Sequence, residues 1–120
     1  MGASSAFATQ ANNYDLERRI FDVSYQLNQV ADANNKALCA GDVFIAAAYL
    51  HSAGRELQHQ NRNKALVSLA YGHNELKEIS NVRSYCAPLS AKVKPYLAQV
   101  IVIKSELDNE PPPAPDKPSD

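Results

Sequence analysis

Leu16, Ile20, Val23, Leu27 and Val30 recur at spacings of four, three, four and three. That rhythm lays an apolar stripe along one face of an α-helix. Phe21 and Ala31 widen the stripe, as in a helix packed against more than one neighbour. The spacing predicts a helix over about residues 13–38, capped by Asn12 or Asn13, with Asp15 and Glu17 in its first turn and Gly41 stopping it. Val43, Ala47, Leu50, Gly54 and Leu57 repeat the same spacing and predict a second helix over about 42–59, with Asp42 as N-cap. The small residues Ala47 and Gly54 allow a neighbouring helix to come close. Residues 58–63 are a polar turn. Leu66, Leu69, His73, Leu76 and Ile79, extended by Val82, predict a third helix over about 63–85. Gly72 lies inside it, where it costs about 1 kcal/mol relative to Ala and marks close packing.

Ala87-Pro88 interrupts the chain, and a fourth helix follows to about residue 108. From Pro95 onward its core positions are Tyr96, Val100, Ile103 and Leu107. Pro95 itself removes a backbone donor and disfavours a helical Lys94, which predicts a short turn before it or a kink. Residues 109–120 hold five of the seven prolines and predict an extended, solvated tail. Segments two and three have nearly the length of a tetratricopeptide hairpin. That family's pattern of aromatic, small and proline positions is not met, however, and no second repeat is present. The chain therefore divides into an N-terminal segment 1–12, a helical domain 13–108 and a tail 109–120. The fold class is all-α, an up-down-up-down bundle of about four helices.

That topology has a covalent consequence. Segments one and three run the same way, so their C-terminal ends share one end of the bundle. Cys39 follows the first and Cys86 the third, and a disulfide between them is expected. At 47 positions apart the two cysteines form no CxxC redox or metal pair. A disulfide implies an oxidising compartment. Ala6-Phe7-Ala8, a small-x-small triplet followed by polar Thr9 and Gln10, reads as the cleavage end of a secretory signal. Segment 1–12 is then a signal-peptide remnant or a disordered start, and the protein is exported, periplasmic or secreted.

Composition narrows the function classes. The 120-residue chain carries 12 Lys and Arg against 13 Asp and Glu, a net charge of −1, with no basic block. Nucleic-acid binding by bulk electrostatics is excluded on that balance. The longest apolar runs, 43–50 and 100–103, fall far short of the ~20 residues of a spanning helix. His51 and His59 stand eight apart, too far to clamp one ion, and His73 sits on an apolar face. The sequence has neither HExxH nor GxSxG, and no cofactor or catalytic residue is assigned. The six tyrosines, Tyr14, Tyr25, Tyr49, Tyr71, Tyr85 and Tyr96, read as boundary residues with wet hydroxyls.

One surplus remains. Val100 to Ile103 are four consecutive β-branched residues, and successive residues step about 100° around a helix. One bundle face cannot bury all four. Ile101 and Val102 should point outward, and Phe44 and Ile45 pose the same question on segment two. Surplus apolar surface marks a contact with another protein or with a second copy. The expected function is non-enzymatic protein binding, as an inhibitor, immunity protein, secretion accessory or secreted effector. The alternative is a small-molecule or metal-ion carrier that uses the bundle interior.

Overall fold

The computed structural model describes residues 2–109, with side chains from residue 13 onward other than that of Val82. The stripe of the first segment is buried at Leu16, Ile20, Val23 and Leu27, but Val30 is only half-buried and Ala31 takes the inner position. It belongs to α1, Gly2–Ala33. Three further helices follow: α2, Ala40–Gln58; α3, Arg62–Lys77; and α4, Ala87–Asn109. A π-helical turn, Glu78–Val82, and a 3-10 turn, Ser84–Cys86, carry the chain from α3 to α4. No strand occurs among the described residues. Each helix packs on its neighbour in sequence, and α4 closes the ring against α1. The result is the up-down-up-down bundle, with α2 and α4 at diagonal corners. Its long dimension is 53 Å, close to the ~48 Å that a 32-residue helix spans at 1.5 Å per residue.

Several local expectations are corrected. The first helix begins at Gly2, so Asn12 and Asn13 lie inside it and not at its start. It ends at Ala33, well before Gly41. Asn34 follows its last residue, and the Val30 carbonyl accepts from both the Asn34 side-chain amide at 2.7 Å and its backbone N–H at 3.1 Å. Gly41 and Asp42 both fall in the first turn of α2, whose N-cap is Cys39. Asp42 therefore offers its charge to the start of the helix rather than capping it. The third helix stops at Lys77, and the π-helical turn takes over where Ser80 Oγ donates to the Leu76 carbonyl at 2.8 Å. The turn after α2 is as expected: Gln60 takes a positive φ of 61°, and Asn61 caps α3 by accepting from the Lys64 amide.

Pro95 breaks nothing. α4 runs through it as one helix, and both Pro95 and Ala91, whose carbonyl loses its donor, lie on the exposed side. Water can satisfy that carbonyl there. The core stripe of α4 starts earlier than expected: Leu89 and Val93 are buried in line with Val100, Ile103 and Leu107, and Tyr96 is half-buried. The end of α4 is held from α3, where Arg62 donates to the carbonyls of Leu107 and Asp108 at 3.0 and 3.1 Å. Arg19 of α1 grips Glu106 of α4 through both carboxylate oxygens, at 2.8 and 3.2 Å. The tail after Asn109 lies outside the described residues.

The close approaches marked by glycine are present. An added Cβ at Gly54 would sit 2.6 Å from the Phe21 ring, and one at Gly72 would sit 2.8 Å from Leu50 Cδ2. Among the described residues no helix is long and apolar enough to cross a membrane.

Candidate interaction surface

The interior is filled by its own side chains. Leu27, Leu69, Leu76, Ile79, Leu89 and Val100 have no exposed surface at all. Among the described residues the two buried polar ones serve the bundle: Ser24 Oγ donates to the Ala47 carbonyl at 2.8 Å, and Ser80 does the same to Leu76. No buried side-chain nitrogen or oxygen among the described residues lacks a partner, so no buried polar group is left aimed at a ligand.

The surplus apolar residues do reach the surface. Phe44 and Ile45 are 40% and 47% exposed, Ile101 and Val102 46% and 49%. They do not form one site. The first pair lies on α2 and the second on α4, which occupy diagonal corners, so their outward faces look in opposite directions. Val102 lines a groove of about 380 Å³ between α1 and α4, but Arg19, Asp22, Gln26 and Gln99 surround it. Apolar surface there is a narrow strip among charges and amides.

The α2 side is broader. Ile45 and Tyr49 are one helical turn apart on α2, and Val67 and Tyr71 are one turn apart on α3. All four are exposed. The Tyr49 and Tyr71 rings stack across the helix pair, with centroids 5.3 Å apart and planes 26° from parallel. Phe44 borders this face on its α1 side, where Tyr25 is also exposed. Treating the tyrosines singly, as wet boundary residues, misses the stack. The signal is in the sequence all the same: Ile45/Tyr49 and Val67/Tyr71 are i, i+4 pairs lying off their helices' buried stripes.

One end of the face is charged and covalently clamped. Cys39 and Cys86 are joined, with Cα atoms 5.4 Å apart, and both are buried. Beside them Arg83, at the exit of the π-helical turn, reaches Glu75 Oε2 at 2.8 Å and Asp42 Oδ2 at 3.2 Å, and also bonds Glu78. The hydrogen bond to Glu75, reinforced by the charges of Glu75, Asp42 and Glu78 against the effect of burial, raises the Arg83 pKa well above its ordinary range. Three carboxylates about one guanidinium leave a formal −2. The ligand-type atoms of Cys39, Asp42 and Cys86 lie within 4.8 Å of one another. In the disulfide form, however, the sulfurs are not thiolates, and Asp42 is engaged by Arg83.

The histidines stay apart. His51 sets its ring edge-on to Phe21 at 5.3 Å, and His59 Nδ1 pairs with the Arg55 carbonyl at 2.8 Å. His73 is half-buried. Its pKa is lowered, first by burial and then by the charges of Lys104 and Lys77.

In comparison with known proteins, no family model, no curated protein and no solved structure matches the chain.

Proposed function

We propose that this protein is an exported, non-enzymatic helical bundle that acts by binding another protein through the outer face of α2 and α3. The observation that carries the reading is the contiguous exposed set Ile45, Tyr49, Val67 and Tyr71 on two adjacent helices. The core is closed without these side chains, and about half of their surface stays in water. Contiguous apolar surface of this kind on a soluble chain is the usual mark of a protein contact, and tyrosine is over-represented in such contacts. The buried disulfide and the Ala6-Phe7-Ala8 triplet support an oxidising, extracytoplasmic setting. Inhibitor, immunity protein, secretion accessory and secreted effector are the roles compatible with a compact binding module.

A photoreactive amino acid placed at Tyr49, and separately at Val102, tests the reading in envelope and culture-fluid extracts of the natural source. A discrete protein adduct at position 49 and none at 102 is expected. Adducts only at 102 would move the contact to α4. Adducts at neither, from a chain that is monomeric by light scattering, would contradict protein binding.

A further inference from the structure

We infer that the α2–α3 face receives a cationic amphipathic helix, laid with its apolar side on Ile45, Tyr49, Val67 and Tyr71 and its basic end over the carboxylates around Arg83. This deepens the binding reading above and rests on it.

The two helices are antiparallel, so the start of α2 and the end of α3 share one end of the bundle. Moving toward that end, each helix changes from apolar to acidic in step. On α2, Asp42 lies one turn before Ile45. On α3, Glu75 lies one turn after Tyr71, and Glu78 follows at the start of the π-helical turn. Arg83 draws the three carboxylates together but can neutralise only one of them. Asp42 and Glu78 keep 32% and 39% of their side-chain surface exposed, so an incoming cation can reach them. At the opposite end Arg55 and Lys64 stand beside Glu56, a net charge of the other sign. The face is therefore polarised along its length. Its apolar section spans about one to two helical turns, the footprint of an amphipathic helix anchored at i, i+3 or i+4, and i+7. Charge complementarity of this kind fixes the direction in which such a helix docks and accelerates the encounter. The carboxylate end carries a formal −2 and the opposite end +1, so a helix with a basic end is favoured over one with an acidic end.

The probe is a synthetic helical peptide with leucines at i, i+3, i+4 and i+7, one tryptophan on the apolar side and lysines at one end. Its twin carries glutamates in place of the lysines. The chain contains no tryptophan, so tryptophan emission reports the peptide alone. The lysine peptide should bind at low ionic strength with a blue-shifted emission and more tightly than the glutamate twin. The double variant Asp42→Asn/Glu78→Gln should weaken the lysine peptide about tenfold. Asp22→Asn, which makes a single charge change of the same kind on the α1–α4 side, should leave the affinity as it is. Because the double variant also touches the Arg83 cluster, its helicity and unfolding midpoint are measured alongside. The wild-type chain gives an independent readout, in that added salt should weaken the lysine peptide steeply. Equal binding of both peptides, indifference to salt, or no binding of the lysine peptide would overturn the inference. If both peptides bind equally and Ile45→Lys abolishes both, the face is still a protein-binding surface and only its charge selectivity is lost.

Discussion

Gly41 and Gly72 both sit within helices, yet substitution at the two should have opposite signs. A Cβ at Gly41 meets nothing within 4 Å, so Gly41→Ala should stabilise the fold by about 0.5 kcal/mol, by restricting the unfolded chain. At Gly72 the new methyl would press on Leu50, which is buried and has little room to turn. The overpacking outweighs the gain in helix propensity, and Gly72→Ala should lose about 1 kcal/mol. Denaturant midpoints of the two variants check both signs. His73 gives a pH signature. Burial and two neighbouring lysines lower its pKa in the folded state, so on acidification the unfolded chain takes up the proton first. Stability should therefore be unaffected above about pH 6.5 and fall as the pH drops from there toward the lowered native value. His73→Gln should flatten the part of the pH–stability curve that His73 supplies, and urea titrations on either side of that window would show it. His73 was legible in the sequence as a boundary residue on an apolar face. Arg83 was not: its role comes from the π-helical turn that brings it between Glu75 and Asp42, and no periodicity announces such a turn.

Among the elements, α4 best shows what periodicity carries and what it misses. Leu89 and Val93 continue the four-three spacing of Tyr96, Val100, Ile103 and Leu107 backward across Pro95. Following the stripe, rather than the rule that proline ends helices, would have found the whole helix. The rule fails here because Pro95 and the carbonyl it orphans face solvent, where the loss is smallest. Pro95→Ala should then restore a backbone hydrogen bond and raise stability by about 1–2 kcal/mol, read as an upward shift of the thermal midpoint. The end of α1 differs from the expected one because apolar Ala37 and Leu38 prolong a helical pattern beyond Ala33, where the helix ends. The stripe of α2 is buried as spaced, at Val43, Ala47, Leu50, Gly54 and Leu57, whereas in α3 Leu69 and Leu76 are buried but Leu66 and His73 are only half-buried, and Ala65 and Gly72 complete the inner face instead. What those stripes leave out, Ile45 with Tyr49 and Val67 with Tyr71, is the candidate surface.

For the whole molecule, topology was the most informative level. Placing the ends of the first and third helices together sets Cys39 beside Cys86, although neither cysteine has a sequence neighbour that names its partner. The bridge closes a loop of 47 positions, worth about 4 kcal/mol in a chain-entropy treatment. Cys39→Ser/Cys86→Ser should lose stability of that order in equilibrium unfolding under oxidising conditions. The same view separates the four surplus apolar residues into two opposite faces, which no one-dimensional pattern can do, since it cannot say which helices lie on the diagonal. The α2–α3 face combines stacked tyrosines, aliphatic neighbours and a charged end, while α4 offers two aliphatic side chains among amides and charges. If the first is a working surface rather than part of the fold, it can be made polar without harm to the bundle. The most direct test is the photo-crosslinking capture from position 49 repeated in an Ile45→Lys chain, with thermal unfolding recorded on the same sample. The adduct should disappear while the melting temperature stays at or above that of the wild type. An adduct that persists, or a loss of melting temperature that accounts for its disappearance, would contradict the assignment of this face to a partner.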